Sequence, residues 1–421
     1  MSGTVAMRPL RAENMRFWPA PELLQRWLVV WASPGFAVLF VLINARGALG
    51  YVFRFGDPAS SPTYMARPDW YFYLWNVLTG LLFVLVLVNT VRLAKPYLSA
   101  VLVLVAFVLL ASLRAESFYV LGMSRSLLLS GTIFVCIVSC AGWINPRHLT
   151  RALEVMTLAG IAFLGWQVAQ YQVWGVLPSH SHEGKLIRFG SFYDDSLVFG
   201  ILVPMFAGYF WSGCWGRPWR EAVVVVGALS AAAMSGSLSA IAVMLMFAVW
   251  WFRRRPGWLV SLFFGAVLAL TFFFDVVIDV LAFKRESISG HLDGWAVLGQ
   301  VGWETLLGVA PLDVFVEAGY LSFLYNYGAI AVAMLLGLHL YTVHASAALR
   351  RRLACDDSMF RLSGAAEGAS FSVLIVNLNL SPVVYPPVYL VVAVLSALVI
   401  AHAERRVGLP ATSSGRDSDS S

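Results

Sequence analysis

Two short stretches gather ionisable side chains in a chain of which only 12% of residues are charged. KRESISGHLDGW, residues 284–295, places Lys284, Arg285, Glu286, His291 and Asp293 within about three helical turns. SHSHEGKLIRFGSFYDDS, residues 179–196, carries Lys185 and Arg188 beside Glu183, Asp194 and Asp195. Lysine and arginine in two such loops make an anion site, and the planar arginine fork gives bidentate contacts to phosphate oxygens. Glu317 stands at the mouth of an apolar run, where a solvated loop carboxylate is the bland reading. The same cations equally suit interfacial snorkelling, or salt bridges with Glu183, Asp194 or Glu286.

The elements that must position these residues are apolar blocks. The chain is 59% hydrophobic with a mean hydropathy of +0.76, and a soluble protein of this length carries roughly twice the charge. Blocks of about 18 residues or more with few charges read as transmembrane helices. A β-barrel would show alternating segments of about ten residues instead. The expected fold is therefore all-α and polytopic. Spans are expected at 27–45, 70–91, 97–113, 127–144, 153–177, 197–215, 221–234, 238–252, 258–283, 319–341, 363–380 and 384–402. Twelve crossings with an internal N-terminus put twenty of the 29 lysines and arginines on the cytoplasmic side. Residues 1–26 form a cytoplasmic segment with no apolar core, so the first span acts as its own insertion signal. Residues 27–402 form one transmembrane domain, with extracytoplasmic loops at 178–196 and 284–318. Residues 403–421 are a cytoplasmic tail of disordered composition. The net charge of +6 is scattered in short clusters between spans, a pattern of membrane topology rather than of nucleic-acid binding.

One pair of spans is short. Arg220 and the run Arg253-Arg254-Arg255 both belong inside, which leaves about 32 residues to cross and return. Each helix then reaches roughly 20 Å against a hydrocarbon core of about 30 Å. The turn MSGSLS, Met234–Ser239, should stop below the outer surface, where only protein or water can surround it. This predicts a water-filled hollow with Ser235, Ser237 and Ser239 near its floor. The alternative is one long tilted helix.

Other signals are weaker. His180 and His182 lack a third metal ligand, and Tyr193-Asp194-Asp195 is not the Asp-x-Asp element of nucleotide-sugar enzymes. The four cysteines read as small buried side chains. Asp275 and Asp279 either line the hollow or mark an earlier end to their span.

In order along the chain, RFGSFYDDS, MSGSLSA, SGHLDGWAVLGQVGWETLLGVAP and EAGYLSFLYNYGAIA resemble four segments of the Wzy polymerase and O-antigen ligase superfamily. The likeness covers about residues 180–345, and the N-terminal region looks like the xanthan-type exopolysaccharide polymerases. It implies a GT-C-like architecture with a large late periplasmic loop, multi-pass in a bacterial inner membrane. It implies a metal-independent, cofactor-free glycosyltransferase that joins undecaprenyl-pyrophosphate-linked oligosaccharides, with membrane lipids and a chain-length or export protein as partners. Under this likeness Arg188, Lys284, Arg285, Asp293 and Tyr320 bind substrate, and Glu317 and His291 are catalytic. The sequence departs from the pattern at Leu238 and His291, each standing where the family has arginine. Glu317 replaces the ligases' histidine, which favours polymerase over ligase.

Overall fold

The computed structural model describes residues 22–45, 69–90, 118–175, 187–191, 193, 196–214, 216–272, 278, 282, 295–310, 312, 316, 318–355, 357–378 and 386–407. Among these there is no β-strand. The helices are α1 (Glu22–Asn44), α2 (Asp69–Asn89), α3 (Phe118–Cys140), α4 (Pro146–Trp174), α5 (Ser196–Gly213) and α6 (Pro218–Met234). They continue with α7 (Leu238–Phe252), α8 (Pro256–Phe272), the single turn α9 (Trp303–Leu306), α10 (Gly319–Arg350), α11 (Ser358–Val376) and α12 (Pro386–Val407). Eleven of the twelve expected spans coincide with a helix; the segment 97–113 lies outside the described residues. Among the described residues, five helices, α4, α5, α10, α11 and most of α12, are long and apolar enough to cross a membrane. The chain is thus a helical membrane protein.

Helix ends follow local chemistry. Asn145 caps α4 by accepting from the Arg147 N–H, with Pro146 in the first turn where its missing donor is harmless. Gly175 closes the same helix in a left-handed conformation, φ 64°, that glycine adopts without strain. Asp357 caps α11 by accepting from the Met359 N–H at 2.8 Å.

α12 is buried continuously from Val388 to Ala401 and forms the central post, packed by α3, α10 and α11. α5 and α11 share the most extensive helix contact. Small residues make that contact possible. A methyl group on Gly208 would overlap the Gly364 carbonyl, one on Gly364 would overlap Ser212 and Gly208, and one on Gly368 would overlap the Pro204 carbonyl. Within a bilayer, where lipid is as apolar as leucine, close backbone approach of this kind drives helix association. The periphery is apolar and bare: Val155, Leu158 and Ile161 on α4, Val223 and Val226 on α6, and Val260, Phe263 and Phe264 on α8 are exposed. Surfaces of that kind face lipid.

Cys136 is buried, as expected, but Cys355 is exposed because it stands in the polar turn between α10 and α11. Asp275 and Asp279 lie outside the described residues.

The glycines discriminate between contact and open surface. Gly364→Ala forces apart two backbones that already touch and should cost about 1–3 kcal/mol, read as a lower melting temperature in detergent. Gly227→Ala, where an added methyl meets nothing within 4 Å, should leave melting unchanged or raise it.

Candidate functional site

The short hairpin exists, and its turn is where Arg188 sits. α6 has 17 residues and α7 has 15, so each spans about 22–25 Å. A single tilted helix is thereby replaced by two antiparallel ones. Gly236 turns the chain at φ +63°, a conformation that disfavours any side chain. Its missing side chain is also needed for space: a Cβ there would lie 2.5 Å from Arg188 Cγ and 3.3 Å from the Ile187 carbonyl oxygen. The Phe189 N–H donates to the Met234 carbonyl at 2.8 Å. Arg188 is 8% exposed.

The segment that carries Arg188 is anchored from the other side by α4. Gln167, buried in that helix, donates through Nε2 to the Ser191 carbonyl at 2.7 Å and accepts from the Ser191 N–H at 3.1 Å. Ser191 Oγ donates to the Gly160 carbonyl at 2.6 Å. Three bonds hold Ser191 at φ 56°, a left-handed conformation that a non-glycine residue adopts at a cost. Tyr193, two residues on, is buried, and burial pushes its phenol well above the ordinary range.

The serines of the turn behave differently from expectation. Ser235 and Ser237 are buried rather than set on a wet floor. Ser235 Oγ donates to the Ala232 carbonyl, and Ser237 Oγ caps α7 by accepting from the Ala240 N–H. The Arg188 stem and α5 occupy the space above them: a methyl on Gly200 would lie 2.7 Å from Ser235 Oγ. Burying the turn under protein satisfies the same physical demand that a hollow would have met with water.

Contacts connect this turn to the start of α10. Gly200 touches the turn, and Ser372 Oγ of α11 donates to the Ile201 carbonyl at 2.6 Å. At the end of α11, the Leu374 carbonyl accepts from the Tyr320 hydroxyl at 2.8 Å and the Asn377 carbonyl from the Tyr320 N–H at 3.0 Å. Arg188 and Tyr320 therefore belong to one end of the bundle. The Tyr320 hydroxyl is committed to the backbone, which leaves its half-buried ring for any ligand. Residues 303–310 and Leu312 dock on the break in α10 at Gly328, whose φ is 84°. A Cβ on Gly328 would lie 2.6 Å from Gly308 N, and the Leu312 N–H donates to the Tyr325 carbonyl at 3.0 Å. Lys284, Arg285, His291, Asp293 and Glu317 lie outside the described residues, as do Lys185, His180, His182, Asp194 and Asp195.

At the opposite end three buried or half-buried carboxylates pair with arginines. Glu221 accepts from Arg255 Nη1 at 2.7 and 2.8 Å and from the Gly216 N–H. Glu367 accepts from Arg350 and from Trp250 Nε1. Glu154 accepts from the Tyr209 hydroxyl and faces Arg361 at 3.5 Å. These pairs join α4, α5, α6, α7, α10 and α11 around the basic turns. No family model matches the chain, and no curated protein matches it significantly.

Gln167→Ala would strand the Ser191 N–H and carbonyl inside the bundle. It should lower stability by about 2 kcal/mol in detergent melting, whereas Gln170→Ala, which does not hold the Arg188 segment, should preserve it better.

Proposed function

We propose that this protein is an exopolysaccharide polymerase that joins undecaprenyl-pyrophosphate-linked oligosaccharide repeat units at the outer face of a bacterial inner membrane. One observation carries the reading: Arg188, from the segment resembling the family's first motif, packs on the hairpin turn resembling its second. The meeting of the third and fourth resembling segments at Gly308 and Gly328 supports it. The basic turns gather at the other end of the hairpin, and a positive-inside orientation would turn Arg188 toward the outer leaflet. A cation there suits a pyrophosphate headgroup better than the neutral sugars it carries.

In the proposed reaction the hydroxyl of the acceptor sugar attacks the anomeric carbon of the donor glycan, whose bond to the lipid pyrophosphate breaks. Glu317 takes the hydroxyl proton. Arg188, with Lys284, Arg285 and His291, stabilises the charge that grows on the departing pyrophosphate, the contribution that usually dominates such catalysis. Asp293 and Tyr320 contact the sugars. Both termini face the cytoplasm in this arrangement.

A flippase for the same lipid would also need many spans and a cation. The side on which intermediates collect separates the two. Cells lacking the protein should accumulate single lipid-linked repeat units on the outer face; accumulation inside would indicate a flippase, and polymer that is made but not transferred would indicate a ligase. Arg188→Ala should lower polymer formation by about 10²-fold or more at normal protein levels, and Arg188→Lys should retain part of it. Wild-type chain length in the Arg188→Ala, Arg285→Ala double variant would remove the mechanism.

A further inference from the structure

At the basic end of the hairpin a cleft of about 740 Å³ opens between the starts of α6 and α8, lined by Pro218, Arg254, Arg255, Gly257, Trp258 and Ser261. Its two arginines differ. Arg255 is tied to the buried Glu221 through Nη1 and so forms a fixed wall. Arg254 is exposed and makes no ion pair among the described residues. Trp258, in its lining, is stacked on Phe252 with ring centroids 4.8 Å apart, which fixes that side of the cleft. Beyond it, the exposed Val260, Phe263, Phe264 and Val267 run along α8 as a bare apolar surface.

The surroundings carry excess positive charge. Arg253 lies over the Trp250 ring at 3.7 Å, and burial followed by the neighbouring Arg254 and Arg351 lowers its pKa. Among the described residues, the ion pair that reaches these three consecutive arginines is the one between Glu221 and Arg255. Cation, aromatic lining and a bare apolar surface beyond match in order what a phospholipid presents: anionic phosphate, glycerol interface, acyl chain.

We propose that this cleft is a binding site for an anionic phospholipid of the leaflet that faces the basic turns, with Arg254 gripping the phosphate and α8 bearing the acyl chain. The site is separate from the one built on Arg188, which lies at the far end of α6 and α7. Bound there, the lipid would bridge α6 and α8, which otherwise meet mainly through α7.

The test uses the full-length protein in nanodiscs of phosphatidylcholine containing phosphatidylglycerol, with retained lipid counted by native mass spectrometry. The wild type should retain phosphatidylglycerol selectively. Arg254→Ala should reduce retention by about five- to tenfold, and Gly257→Leu, which fills the cleft from a position with nothing within 4 Å of an added Cβ, should do the same. Arg352→Ala, at an exposed arginine of a different turn, should change nothing. Both cleft variants alter open surface, and equal melting temperatures would verify their folding. Equal retention by wild type and both folded variants would overturn the proposal. Displacement of the lipid by inorganic phosphate alone would also overturn it, by assigning the cleft to a free anion.

Discussion

The contact between Arg188 and Gly236 governs the architecture around the candidate site. Helices of 17 and 15 residues are shorter than a bilayer core of about 30 Å, and bare backbone in a turn at that depth would be costly. The protein meets that demand by closing its own chain over the turn. Phe189 bonds to Met234, the Arg188 stem lies against Gly236, and α5 presses on Ser235 through Gly200. A cation is thereby held below the surface by the same packing that makes the turn tolerable. Charge and fold cannot be separated here: a side chain at residue 236 would disturb both.

The rest of the bundle supports that arrangement with two different kinds of interaction. Toward the Arg188 end the helices are joined by neutral hydrogen bonds, from Gln167, Ser191, Ser372 and Tyr320 to backbone groups. Toward the opposite end they are joined by ion pairs, Glu221 with Arg255 and Glu367 with Arg350. Between them, α5 and α11 touch through Gly208, Gly364 and Gly368. Among the described residues the ion pairs lie beside the basic turns, where arginines that become buried need local carboxylates.

Much of the helical layout was legible because apolar blocks and charged turns alternate along the chain. The hairpin boundaries follow from Arg220 and Arg253 and from the small residues of MSGSLS, and the structure places the turn there. The fate of the serines was not legible. Hydropathy shows that a turn at depth must be sheltered, but not whether water or protein shelters it; Arg188 and α5 supply the answer only after folding. Gln167 went unnoticed because one amide in an apolar helix has no meaning until Ser191, 24 residues later, returns to meet it. The same holds for Glu367, which in sequence is an isolated acid and in structure is the partner of both Arg350 and Trp250. Gly308 and Gly328 belong to segments recognisable by resemblance, yet their backbone contact depends on a break in α10 that composition does not reveal.

The central claim is that Arg188, held on the hairpin turn, binds the pyrophosphate of a lipid carrier. It is tested most directly by titrating undecaprenyl pyrophosphate into the purified protein in nanodiscs, with wild type, Arg188→Lys and Arg188→Gln compared after each is verified as folded. The account predicts saturable binding that weakens by about tenfold or more in Arg188→Gln, where a charge-assisted contact is lost, and far less in Arg188→Lys. Equal affinity in all three proteins would contradict it.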